Sequence, residues 1–156
     1  MTLAIRLAQP NDVDALVGLV NRAFVAESPY IEGERINSEG IRELLYRGRF
    51  LLLEQNHALL ACVYVEPRGK SAHIGLVSVD PARQGAGIGS RLMAAAEEHC
   101  RRAGYRGMEL RFINHRSELQ HFYSRLGFSP TGVTEHPDSI RVKVPFHFVQ
   151  MAKPLV

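Results

Sequence analysis

"VDPARQGAGIGSRLMAAAEEHC", Val79 to Cys100, sets Gly85, Gly87 and Gly89 within five residues at the mouth of a helical segment. Arg83 and Gln84 stand directly before the glycines and Ser90 directly after them. Behind them Ile88, Leu92, Ala96, Cys100 and Ala103 recur at helical spacing, with Arg101 and Arg102 in the last turn and Gly104 to end it. A helix start leaves its first N–H groups unpaired and carries partial positive charge, so a docked anion satisfies both. Glycine permits positive φ and removes the Cβ atoms that would hold an anion away. One glycine would suit a plain tight turn. Three alternating ones, opening a helix after a strand, point to a phosphate or pyrophosphate, with Arg83, Gln84 and Ser90 as rim donors.

The elements around this loop follow from periodicity. Thr2 to Leu7 is a short strand, and Asn11 is placed to cap a helix with Asp12 and Asp14 in its first turn. Val13, Leu16, Val17, Val20 and Phe24 keep helical spacing. The polar stretch "ESPYIEGERIN" is a loop, and Ser38 is placed to cap a second helix bearing Ile41, Leu44 and Leu45 and ending at Gly48. "RFLLLEQ", "ALLACVYVEP" and "SAHIGLVSVDP" are strands whose close spacing implies an antiparallel meander. "GMELRFIN" is a strand beyond the glycine-loop helix. Ser117 and Gln120 form a capping box for a helix with Leu119, Phe122, Tyr123 and Leu126 on one side. Gly127 ends it, with Phe128 folding back. "VPFHFVQMAKPL" is the last strand. The order is β-α-α-β-β-β-α-β-α-β-β. A strand–helix–strand crossover makes the two strands around the loop parallel, so the sheet is mixed and the fold class is α/β.

Spacing restricts the phosphate ligand. A P-loop needs Lys-Ser or Lys-Thr after its glycines, and none follows here. A Rossmann fingerprint needs G-x-G-x-x-G, but Ser90 or Leu92 holds the last position, depending on the register. Glu109, the acid about 20 residues on, lies inside a strand rather than at its end. These departures count against a nucleotide-dependent oxidoreductase.

The chain has 156 residues, enough for one domain that buries about two thirds of its unfolded surface. Net charge is +3 and the arginines are scattered, which counts against a nucleic-acid partner. Cys62 and Cys100 show no metal or disulfide spacing and read as buried thiols. No signal peptide and no apolar run of 18 residues is visible, so the chain is expected to be cytoplasmic, with no membrane contact and no metal.

Gln84-x-x-Gly87-x-Gly89 resembles the Q/R-x-x-G-x-G/A signature of GNAT superfamily N-acetyltransferases, where the loop holds the pyrophosphate of coenzyme A. "FYSRLGF", Phe122 to Phe128, is similar to that family's Y-x-K-x-G-F helix end, with Arg125 where lysine is usual. The closing "FVQMAKPL" resembles its M-x-K-x-L last strand. The three occur in family order, and the element order matches over nearly the whole chain, residues 1–156, as a single N-acetyltransferase domain.

The resemblance implies acetyl-CoA as co-substrate and a primary amine on a small molecule or peptide as acceptor, meeting where the two parallel strands splay apart. Val77 and Val79 match positions whose backbone bonds pantetheine and the acetyl carbonyl. Arg83, Gln84, Gly85, Gly87, Gly89 and Ser90 match the pyrophosphate loop, and Tyr123 matches the tyrosine that protonates the departing thiolate. Arg116 stands where the family often carries the asparagine that bonds pantetheine; Asn114, two residues earlier, is expected to reach the cofactor in its place, and Arg125 is expected to contact the cofactor as well. The base is unassigned among His73, Glu27, Glu32, Glu135, His136 and Asp138. Ala26–Asn37 and Val133–Pro145 should line the acceptor side, where Tyr30, Glu32, Glu34, His136 and Asp138 give a weak hint of a cationic amine. A homodimer is left open. The rival from another class is a non-catalytic acyl-CoA-binding sensor.

Overall fold

The alternation of the strand sequences decides the layering of the computed structural model, which describes residues 3–156. Seven strands form one sheet: β1 (Leu3–Leu7), β2 (Arg49–Gln55), β3 (Ala58–Arg68), β4 (Ser71–Val79), β5 (Gly107–Ile113), β6 (Ser129–Glu135) and β7 (His147–Pro154). Their order is β1-β2-β3-β4-β5-β7-β6. Thr2 lies outside the described residues. Four helices, α1 (Val13–Ala23), α2 (Ser38–Arg47), α3 (Ile88–Arg102) and α4 (Ser117–Arg125), cover the faces. Successive side chains of a strand point to opposite faces. Leu51, Leu53, Ala61, Val63 and Val65 therefore pack with α3 and α4, while Phe50, Leu52, Cys62 and Tyr64 pack with α1 and α2. Both faces are apolar, as a sheet covered on both sides requires.

The expected pairing is present. β1–β2–β3–β4 is antiparallel, β4–β5 is parallel, and β5–β7–β6 is antiparallel. Leu16, Leu92 and Ala96 are 0% exposed, so the helical spacings found their core. Each fully buried leucine is worth roughly 1.5–3 kcal/mol. Cys62 and Cys100 are buried free thiols; burial pushes them up to about 12 and about 11, so both stay protonated.

Several caps differ from the sequence expectation. A 3-10 turn, Pro10–Asp12, precedes α1, and Asp12 rather than Asn11 organises it. The Asp12 carboxylate accepts the Gln9 N–H at 2.7 Å and both outer nitrogens of Arg6 at 2.8 Å. Those bonds hold its carboxyl below the usual range, against the cost of burial. Asn37, not Ser38, caps α2, accepting the Gly40 N–H at 2.8 Å. The Ser117–Gln120 capping box is absent: Ser117 is already helical and the preceding Arg116 makes no side-chain cap. Arg116 is drawn instead to Glu27. The last strand starts at His147, not Val144. Gly104 and Gly127 end α3 and α4 with φ of 85° and 97°, and the Phe128 N–H returns to the Tyr123 carbonyl at 3.1 Å.

Lys153, in the closing motif, ties that motif to the helix end "FYSRLGF". Its ammonium donates to the Leu126 carbonyl at the end of α4 and to Glu97 on α3. It thereby satisfies a helix-end carbonyl and ties β7 to both helices.

Candidate active site

Only the first residues of the parallel pair are joined. Ser71, Ala72 and His73 pair with Gly107, Met108 and Glu109; beyond them β4 and β5 separate. β4 bends here. Leu76 takes a positive φ of 49°, and the β3–β4 register slips between Cys62 and Tyr64. A non-glycine residue in that region costs of order 1–3 kcal/mol and persists only where the surroundings enforce it. Here the Leu76 carbonyl is held by the Ser78 hydroxyl at 2.8 Å and the Cys62 thiol at 3.8 Å. The bend opens a cleft of about 1320 Å³ whose walls include Val77, Val79, the glycine loop, Arg116 and Tyr123.

The loop supplies bare backbone at one end of the cleft. Asp80 folds it by accepting the Ala82 N–H at 3.0 Å. Gly85 and Gly87 have φ of 88° and 75°, and an added Cβ at either meets nothing within 4 Å. Both therefore face open space in a conformation that L side chains rarely adopt. Gly89 serves another purpose: a Cβ there would lie 3.3 Å from the Phe122 ring, so it lets α3 and α4 approach. The α3 start carries no side-chain cap, leaving its first N–H groups to the cleft. Arg83, Gln84, Gly85, Gly87, Gly89 and Ser90 all line it.

Tyr123 stands where the two core faces of α4 and β5 meet the opening. It is 5% exposed and packed by Phe112, Phe122 and Phe128, with ring centroids 5.9, 5.1 and 5.8 Å away. Burial pushes its phenol well above the ordinary range; Arg116 pulls it down and Glu27 pushes it up. The group is protonated at neutral pH. Glu27 and Arg116, near it, form an ion pair at 3.1 Å with side chains only 12% and 17% exposed. Burial raises the Glu27 carboxyl and Arg116 pulls it back. His73 also lines the cleft, and burial, then Arg68 and Arg111, lower its pKa, so it is neutral at pH 7.

Two expected contacts lie elsewhere. The Asn114 side chain accepts the His147 N–H at 2.9 Å, closing the end of the β5–β7 pair, and Asn114 is not in the cleft wall. Arg116, not Asn114, faces the cleft. Arg125 is exposed on the last turn of α4, away from the wall. His136 and Asp138 are also outside it; His136 packs on Phe146, centroids 4.8 Å apart. Tyr30 stacks on His115 at 5.3 Å.

The side of the cleft expected to take the acceptor is built by two loops that pair with each other. The Glu32 N–H donates to the Arg141 carbonyl at 2.9 Å, the Lys143 N–H to the Tyr30 carbonyl at 2.8 Å, and Ile31 bridges Val142. Glu27, Glu32, Glu34, Arg35, Ser139, Ile140 and Arg141 from these loops line the cleft, with Arg111 of β5 beside them. Sequence reasoning flagged both loops and missed Arg35, Arg111 and Arg141. The signal for Arg111 was its place on the polar alternation of β5, with Glu109 two residues before it.

Comparison with known proteins agrees with this architecture. The family model for the acetyltransferase (GNAT) domain matches residues 46–130, more than half of the chain. The chain therefore belongs to the GNAT acetyltransferase family. Among solved structures it is similar to the ribosomal-protein-S18-alanine N-acetyltransferase of Escherichia coli, with TM-score 0.81 and 17% identity over 99% of this chain and 94% of that one. A ribosomal-protein-alanine N-acetyltransferase from Brucella melitensis gives TM-score 0.81 at 18% identity, over 97% of this chain and 99% of that chain. The PaiA N-acetyltransferase of Thermoplasma acidophilum, solved in complex with coenzyme A, gives 0.79 at 16%, over 99% of each. None of the curated protein sequences compared matches it. No helix among the described residues is long and apolar enough to cross a membrane.

Proposed function

We propose that this acetyltransferase moves the acetyl group of acetyl-CoA to a primary amine by direct attack on the thioester, with Tyr123 as general acid. The observation that carries the reading is the meeting, in one cleft, of a parallel strand pair that parts after His73, a bare helix start, and a buried protonated phenol. Each part has a task. The free N–H groups at Gly85–Ser90 match a pyrophosphate, which needs many donors and a positive helix end. The edges of Val77 and Val79 facing β5 have no strand partner, leaving backbone donors and acceptors for an amide-rich pantetheine and for the developing oxyanion.

The amine must attack as its neutral form, and it must surrender a proton when the tetrahedral adduct collapses. The leaving thiolate takes a proton from the Tyr123 hydroxyl, and the phenolate is reprotonated from solvent after the thiol departs. A phenol pushed up by burial is a reservoir that stays loaded at working pH. Glu27 and Arg116 act on it with opposite sign, which balances the local field. An acyl-CoA sensor would share the loop but would have no use for the proton.

Thermal unfolding tests the cofactor first. Ligand binding to the folded state raises stability by RT ln(1 + [L]/Kd), so coenzyme A at 100 times its Kd contributes about 2.7 kcal/mol. NADP and ATP at equal concentration should do much less. Thiol release from acetyl-CoA with a panel of amines then tests transfer. A larger thermal shift with NADP than with coenzyme A would overturn the cofactor; coenzyme A binding with no thiol release for any amine would favour the sensor.

A further inference from the structure

Arg35, Arg111 and Arg141 line the cleft on the side of the two paired loops with no ion-pair partner among the described residues, although Glu27, Glu32 and Glu34 line the same side. Arg35 lies over the Phe24 ring at 5.4 Å, and Arg111 over the Phe148 ring at 4.4 Å. Both rings line the cleft. Arg141 comes from the paired loop between β6 and β7. Among the described residues none of the three side chains makes an ion pair or a hydrogen bond, unlike the neighbouring arginines. Arg116 meets Glu27 and Glu118, Arg47 meets Glu43 and Glu66, and Arg68 meets Glu109.

Both the Arg35 and the Arg111 side chains keep solvent exposure. Crowding by neighbouring atoms lowers each guanidinium from its ordinary range, while on Arg35 the Glu27 carboxylate pulls upward and Arg111 pushes downward. Stacking on an aromatic face satisfies the flat of a guanidinium but leaves its edge, with its N–H donors, unused. That edge fits the two oxygens of a carboxylate or the oxygens of a phosphate. Glu32 and Glu34 line the same wall, exposed and unpaired, so the wall is cation-rich without being purely basic.

We propose that the acceptor is a small zwitterion, a primary amine that bears a carboxylate or phosphate close to it, with Arg35, Arg111 and Arg141 holding the anionic group. The amine half of this statement rests on the acetyl-transfer reading. The anion half rests on the guanidinium groups alone. A polyamine or a lysine-rich peptide, the class that the acidic residues hinted at, would instead add positive charge beside three arginines with no ion-pair partner among the described residues.

The test uses the full chain saturated with coenzyme A and matched pairs of acetylated products that differ only in the anion. N-acetylmethionine is titrated against N-acetylmethioninamide, with the same pairs for glycine, glutamate and phenylalanine. N-acetylphosphoethanolamine is titrated against N-acetylethanolamine. In at least one pair the anionic member should bind about tenfold tighter or more by calorimetry, the weight of a charge-assisted bond. The pair with the larger ratio identifies carboxylate or phosphate. Arg35→Gln and Arg111→Gln should each remove about tenfold from the anionic member. They should leave the neutral member and coenzyme A unchanged. Equal binding within every pair, spermidine displacing the acids, or undiminished affinity in both variants would overturn the proposal. Acetyl transfer to the free amino acids and their amides is measured alongside. Anion preference without transfer retains the anion site and sinks the transfer reading. Transfer to acid and amide with equal kcat/KM, each referred to the neutral amine present at the assay pH, retains the transfer and sinks the anion site. The amide's amine is the less basic of the two and is neutral in larger fraction near pH 7, so a raw preference for the acid at that pH cannot come from the supply of neutral amine.

Discussion

Replacing Tyr123 by phenylalanine separates chemistry from packing because the structure has already divided the two. The ring is held by Phe112, Phe122 and Phe128, and every one of those contacts survives in Tyr123→Phe. Among the described residues no group is hydrogen-bonded to the hydroxyl, so its removal leaves no partner unsatisfied. Stability should therefore change by no more than about 0.5 kcal/mol, whereas Tyr123→Ala, which empties a site only 5% exposed, should cost about 3–5 kcal/mol. Loss of a general acid costs about 10²–10⁴ in rate, or roughly 3–5.5 kcal/mol of barrier. The catalytic effect thus exceeds the stability effect several-fold, and the two are read independently. Steady-state kinetics should show kcat down in that range and KM for acetyl-CoA nearly unchanged, with the melting temperature intact. An acyl donor with a more acidic thiol should be less sensitive, since its thiolate leaves with less help. The wild-type rate should show no alkaline loss from Tyr123 below the ordinary phenol range near about 10, because burial raises its pKa. A Tyr123→Phe enzyme within twofold of wild type would refute the acid role and leave Tyr123 as a core aromatic.

Gly87→Val places a branched side chain at a φ of 75° and at the open mouth of α3. Affinity for coenzyme A should fall at least about tenfold, about 1.4 kcal/mol, by calorimetry, while the circular dichroism spectrum stays normal; unchanged affinity would refute the phosphate site. Asn114→Ala removes the acceptor of the His147 N–H and should cost about 1 kcal/mol in denaturant unfolding with KM for acetyl-CoA unaltered. A selective rise in that KM, with stability intact, would return Asn114 to the cofactor.

Much of the fold was legible because its signals are local. Strands β2 and β3 alternate between two apolar faces, α3 repeats its core residues at helical spacing, and Gly85 and Gly87 mark positive φ where they stand. Turn chemistry and periodicity act over a few residues, so the chain records them in order. The order of elements, the parallel crossover and the positive-φ glycine loop all follow from that. What only the tertiary structure decided depends on partners far apart in sequence. Asp12 organises its turn in place of Asn11, with Arg6 bonded to its carboxylate, and Arg116, at the N-cap of α4, pairs with Glu27, 89 residues away. Asn114 was claimed by His147. Arg35, Arg111 and Arg141 come from a loop, a strand and a second loop, and each alone reads as an ordinary surface arginine. Their common charge acquires meaning only when the sheet parts and two loops bridge above it. A charge is local to its residue, but whether an ion-pair partner reaches it is a property of the whole fold.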